Sequence, residues 1–193
     1  MTEGKFFVLE GIDGSGTTTH AELLGKWLEV EGYSVVVTAE PSKGKIGAII
    51  REKLKEKDSS PMLDALLFAA DRLDHWETLI KPSLDANKIV ISDRYVESSL
   101  IYQTVTGLEL EWVAEINKYA QKPDLTIILD IDPEIGLERK ATLGDKYEDA
   151  KFLYWVRDGY LRRADHNHYP VVSTEKSIGE VQTQLQNIIR PFL

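Results

Sequence analysis

Five short apolar runs recur along the chain: Phe6–Glu10 (FFVLE), Ser34–Thr38 (SVVVT), Lys88–Ser92 (KIVIS), Leu125–Asp130 (LTIILD) and Pro170–Ser173 (PVVS). Each is rich in Val, Ile or Leu and hardly alternates with polar residues, the pattern of strands covered on both faces. Between them apolar residues return at helical spacing. Thr18–Glu31 places Ala21, Leu24 and Leu28 on one stripe, and Met62–Ile80 places Leu66, Ala69, Ala70, Leu73 and Ile80 on another. Leu110–Ala120, Pro133–Lys140 and Ala150–Ala164 read as further helices. The last helix opens on Ser177 and Glu180, the spacing of a capping box, and carries Ile178, Val181, Leu185 and Ile188 on one side. Strands alternating with helices predict an α/β fold, a five-stranded parallel sheet flanked by helices in three layers. Ligands of such sheets bind at the carboxyl ends of the strands. Gly11–Thr19, Glu40–Gly44 and Asp93–Tyr102 follow the first three runs and are expected to converge there on one cleft.

Composition narrows the classes of function. The chain has 193 residues, 42% hydrophobic and 28% charged, with no linker-like stretch, and predicts a single domain over residues 1–193. A net charge of -9 without a long basic run argues against nucleic acid and anionic membrane as partners, while leaving small phosphate ligands open. The absence of cysteine removes disulfides, thiolate metal sites and cysteine nucleophiles. His20, His75, His166 and His168 are not spaced as a zinc site. With no signal-peptide pattern and no membrane-length apolar run, the expectation is a soluble cytoplasmic protein.

Chemistry enters after the first run, at Gly11-Ile12-Asp13-Gly14-Ser15-Gly16-Thr17-Thr18. A glycine-rich loop that leaves a strand and opens a helix lets backbone N–H groups surround anionic oxygens, and the helix N-terminus adds a favourable dipole. The spacing is that of a P-loop, G-x-x-x-x-G-K-[ST], with Thr18 at the position whose hydroxyl ligates Mg²⁺. Thr17 stands where the pattern has lysine. A dinucleotide site, with Glu40 on a ribose, fits less well, because the glycines read G-x-x-G-x-G rather than G-x-G-x-x-G. The third run ends in Asp93-Arg94-Tyr95, a charged pair at the tip of a buried strand that is costly without partners. Asp93 suits Mg²⁺ beside Thr18, and Arg94 suits a phosphate.

Taken together, Phe7–Leu24, Glu40-Pro41, Phe68–Arg72 (FAADR), Asp93-Arg94-Tyr95 with Ser98, Ser99, Tyr102 and Gln103, and Pro123–Glu134 (PDLTIILDIDPE) resemble the thymidylate kinase family in order and spacing. The resemblance implies a P-loop NTPase-type fold, ATP as phosphoryl donor, Mg²⁺, dTMP as acceptor and a homodimer. It implies that Phe68 stacks beneath thymine, Arg72 bonds a base carbonyl, Asp13 meets the sugar 3′-hydroxyl and Tyr102 lies against C2′. Ser98 and Ser99 are implied near the base or the Mg²⁺ water shell, Arg94 on the acceptor phosphate and Glu40 close to it. A lid over ATP is implied at about residues 139–147, with Arg139 as its arginine and Lys140 or Lys146 partly delivering the charge that Thr17 lacks. A deoxynucleoside kinase and a catalytically weak nucleotide binder are the alternatives, the second because one lost transition-state contact costs about 3 kcal/mol.

Overall fold

A computed structural model of the chain describes residues 3–56, 60–139 and 149–193. Its five strands are β1 (Lys5–Gly11), β2 (Val35–Ala39), β3 (Ile89–Asp93), β4 (Leu125–Asp130) and β5 (Val171–Ser173). All pairings are parallel, in the order β2-β3-β1-β4-β5. The predicted runs match these strands to within one residue at each end. Burial on both faces holds for β1, β3 and β4. It does not hold at the sheet edges, where Val37 of β2 and Val171 of β5 are exposed and, among the described residues, no strand continues the sheet beyond them.

The alternation of β1 side chains builds the layers. Phe7 and Leu9 enter a core with Leu24 and Leu28 of α1 (Thr17–Val30) and with Val181 and Leu185 of α9 (Ile178–Ile189). Phe6 and Val8 point to the other face, toward Ile80 and Tyr95. On that side Ile128 also packs among Ile101, Val156 and Tyr160. Ser177 and Glu180 complete the expected capping box at α9, each side chain accepting from the other's backbone N–H. Among the described residues no helix is long and apolar enough to cross a membrane.

The remaining helices are α2 (Lys45–Lys53), α3 (Pro61–His75), α4 (Lys81–Asp85), α5 (Val96–Val105), α6 (Leu110–Ile116), α7 (Pro133–Arg139) and α8 (Ala150–Asn167). A π-helical turn, Trp76–Ile80, joins α3 to α4.

One expectation is corrected here, and one helix is added to the reading. The predicted inward stripe over residues 62–80 holds only in part: Ala69 and Ile80 are buried, but Leu66, Ala70 and Leu73 are exposed, while Ala65, Asp71, Arg72 and His75 are buried. The polar residues go inside because each finds a partner there. Asp71 takes the Ser42 N–H and hydroxyl at 2.6 Å each, and Arg72 and His75 both meet Glu40. The segment after Asp93, expected at a strand end with no helix assigned to it, contains helix α5. Its first N–H groups are capped from across the sheet, for Glu10 Oε1 accepts from Tyr95 N at 2.8 Å and Ser98 N at 3.1 Å.

Candidate functional site

The strand register places the site. Leu9 of β1 lies beside Asp93 of β3, and Arg94 N donates to Leu9 O at 2.8 Å. The loop leaving β1 and the Asp93-Arg94 pair therefore share one end of the sheet. In that loop Gly14 and Gly16 have φ of 82° and 87°, which glycine adopts without a Cβ penalty. The N-cap of α1 is Gly16, which has no side chain to cap it, and the first intrahelical bond runs from His20 N to Gly16 O. Ser15 N donates to Ile12 O, while the N–H groups of Thr17, Thr18 and Thr19 are left for a ligand, as an anion cradle requires. Ile12 is packed in the core beside α8, and Ser15 is fully buried, so these two offer a ligand backbone only.

Thr18 Oγ1 donates to Asp93 Oδ2, and Asp93 Oδ1 is buried without a hydrogen-bond partner among the described residues. A free carboxylate oxygen beside a threonine hydroxyl fits Mg²⁺, which takes one or two protein oxygens and completes its shell with water and substrate phosphate. No cluster of three or more His, Cys, Asp or Glu suited to a metal occurs among the described residues.

Two cavities meet at Asp13 and Arg94. One, of about 290 Å³, is lined by Phe68, Arg72, Ser99 and Tyr102. The other, of about 610 Å³, is lined by Gly14, Gly16, Thr17, Thr18, Asp93 and Arg139. Arg94 forms the divide. Its Nη2 donates to Asp13 Oδ1 at 2.6 Å, its Nη1 lies 3.2 Å from Ser98 Oγ and 3.4 Å from both Tyr102 Oη and Tyr160 Oη, and its guanidinium sits over the Tyr102 ring. Burial pushes the Tyr102 hydroxyl up, which keeps it a neutral donor and acceptor.

In the smaller cavity Phe68 and Arg72, one helical turn apart, line the same wall. Arg72 is 2% exposed and tightly held. Its Nε donates to Glu40 Oε2 at 2.9 Å, its Nη2 to Ser99 Oγ at 2.9 Å and Tyr95 O at 3.1 Å, and its Nη1 to Asn117 Oδ1. Glu40 spends its other oxygen on His75 Nδ1 at 3.2 Å, and His75 Nε2 lies 2.7 Å from Thr38 Oγ1. The Glu40 carboxylate thus faces Arg72 and His75, although it also lines the cavity. Arg139 reaches the rim of the larger cavity, where its Nη2 donates to Thr174 O at 2.9 Å. Lys140, Lys146 and the rest of the expected lid to residue 147 lie outside the described residues.

The sequence reading missed Glu10, Asn117 and Tyr160. Glu10 is 0% exposed, and burial raises its pKa against the opposing pull of the Ser98 hydroxyl and the Arg94 charge. One signal was available. An acidic residue inside the run FFVLEG is as costly without partners as Asp93, and it deserved the same question.

Residues 9–185 match the family described as Thymidylate kinase. A probable thymidylate kinase of Pyrobaculum aerophilum is 45% identical over 188 residues, spanning 96% of each chain. One of Thermococcus kodakarensis is 41% identical over 196 residues, spanning 95% of each. The crystal structure of thymidylate kinase from Ehrlichia chaffeensis superposes with a TM-score of 0.80 at 30% identity, covering 97% of this chain and 99% of that one.

Proposed function

The chain belongs to the thymidylate kinase family, and from that membership we infer that it transfers the γ-phosphoryl group of ATP to dTMP, releasing dTDP and ADP. The observation that carries this reading is the shared wall: Asp13 and Arg94 line both the cavity of the glycine-rich loop and the cavity of Phe68 and Arg72. A donor on one side and an acceptor on the other would meet at one guanidinium. Neither a deoxynucleoside kinase nor a binder without turnover is favoured by the relatives.

Phosphoryl transfer asks for positioning and charge stabilisation rather than a covalent partner. On the donor side the loop N–H groups of Gly11–Thr18 cradle the phosphates. Mg²⁺ held by Thr18 and Asp93 would neutralise phosphate charge. Thr17 adds no cation, so Arg94 carries more of the burden, with Arg139 and Lys146 as contributors at the far side. On the acceptor side Phe68 stacks on thymine and Arg72 offers an N–H to a base carbonyl. Glu40 acts as the brace that fixes Arg72, rather than as a ligand of the acceptor phosphate. Asp13 meets the 3′-hydroxyl and orients Arg94, Ser98 and Ser99 tie both arginines to α5, and Tyr102 crowds C2′. The acceptor oxygen of dTMP is already anionic, so no strong general base is needed.

ADP formation with Mg-ATP and a panel of acceptors tests the reading. Turnover on dTMP, weaker turnover on dUMP and none on thymidine is the expected result. Turnover on nucleosides alone, or on no acceptor, sinks it.

The site is read as part of one nucleotide-kinase domain over residues 1–193, acting as a homodimer. The outward stripe of α3, with Met62, Leu66 and Leu73 exposed, is the apolar face that a second copy would cover. Light scattering is expected to give twice the 21.9 kDa chain mass, and Leu66→Glu to halve it. A monomeric wild-type chain at micromolar concentration would remove the dimer.

A further inference from the structure

The carboxylate that caps α5 also bears on the arginine between the cavities. Glu10 Oε2 accepts from Ser98 Oγ at 2.6 Å and from Tyr160 Oη at 2.9 Å, and the two hydroxyl oxygens are 2.8 Å apart. Each hydroxyl has one proton to give. With an anion behind them, both protons turn toward Glu10 or are shared between the pair. Their lone pairs are then left facing Arg94 Nη1, at 3.2 Å for Ser98 and 3.4 Å for Tyr160. The fully buried carboxylate thereby converts two ambivalent hydroxyls into acceptors for a guanidinium, and the guanidinium in turn offsets the cost of burying the carboxylate.

We propose that Glu10 and Tyr160 are positioning residues for Arg94, holding its Nη1 edge through the hydroxyl pair while Asp13 holds its Nη2 edge. The consequence is a guanidinium clamped from both sides before substrate arrives. Preorganised charge of this kind loses little to reorganisation when phosphate binds. Tyr160 stands on α8 and Glu10 on β1, so elements distant in sequence fix one charge. Glu10→Gln reverses the polarity of the clamp. An amide N–H₂ donates to the hydroxyls and turns their protons toward Arg94. Tyr160→Phe merely removes one of the acceptors.

This inference rests on reading Arg94 as a ligand of the acceptor phosphate, so the test separates the two claims. Calorimetry with dTMP and with thymidine reports the phosphate contact as a ratio of affinities. Arg94→Gln serves as the reference. Tyr160→Phe is expected to weaken dTMP binding ~10-fold and Glu10→Gln ~100-fold, with thymidine binding changed by less than about twofold. Equal losses for dTMP and thymidine would make Glu10 and Tyr160 general scaffold and overturn the proposal. A reduced ratio in Arg94→Gln with unchanged ratios in the other two overturns the positioning claim alone. An unchanged ratio in Arg94→Gln removes the reading beneath it as well. Glu10→Gln also weakens the cap of α5, which then rests on an amide oxygen instead of a carboxylate, so if it does not fold, Tyr160→Phe and Ser98→Ala decide the matter.

Discussion

Arg94→Gln is expected to lower kcat on dTMP by ~10³-fold, a loss of the size seen when an arginine that stabilises transferring phosphate is removed. The expectation follows from position. Arg94 stands on the wall common to the two cavities, and no other arginine or lysine among the described residues lines both. The loop beside it has Thr17 where such loops place a lysine, so the charge that would normally share the work is missing nearby. Glutamine keeps two N–H donors but ends short of the guanidinium Nη atoms, so the change removes charge, fork geometry and reach together. The KM for ATP is expected to change by less than about threefold, because the loop backbone and α1 hold the donor independently. Steady-state kinetics on both substrates checks this. A kcat within tenfold of wild type, or a loss confined to the KM for ATP, would mean that another cation does the stabilising.

The features that made this site legible in the sequence are local. Gly11–Thr18 announces itself because its chemistry depends on backbone turns within eight consecutive positions and on the strand and helix at either side. Asp93-Arg94 is legible because a charged pair ending a fully apolar run requires an explanation. Phe68 and Arg72 were implied by the family resemblance, which their helical spacing permits, and they do share a cavity wall.

What stayed hidden depends on partners far along the chain. The buried face of α3 was misassigned at Leu66, Ala70 and Leu73 because a hydropathy pattern assigns leucine inside and arginine outside. Arg72 reverses that assignment only through Glu40, Tyr95, Ser99 and Asn117, between 23 and 45 residues away. Helix α5 was invisible for a similar reason. It carries no cap of its own, and the side chain that satisfies its first N–H groups lies 85 and 88 positions upstream. Tyr160 reads as an ordinary aromatic in an amphipathic helix, and only the fold brings its hydroxyl to Glu10, 150 positions away. In each case a buried polar group is affordable because its complement arrives from another element, and a local pattern carries no trace of that complement.

The glycine loop contains one such long-range dependence too, and it yields a sharp prediction. Gly14 at φ 82° packs against α7, and a Cβ there would lie 2.1 Å from the Gly136 carbonyl oxygen and 2.6 Å from its Cα. Gly136 is equally constrained, since its own Cβ would lie 2.8 Å from Asp13 O. The loop and α7 therefore meet backbone to backbone. Gly14→Ala must both strain a left-handed residue and push the two elements apart, for a combined cost of about 3 kcal/mol. In a chain of this size that corresponds to a fall of about 10 °C in Tm. Displacing Asp13 and the phosphate cradle by even an ångström is expected to lower kcat/KM by ~10²-fold besides. Gly32→Ala separates the two contributions, because Gly32 has φ 94° but nothing within 4 Å of a new Cβ. It is expected to lose about 1 kcal/mol with activity unchanged. Thermal unfolding and kinetics on the two variants decide between strain and collision. If Gly14→Ala costs no more than Gly32→Ala and retains activity, α7 yields to the extra methyl group, and the fit of Gly14 against Gly136 is not what fixes the loop.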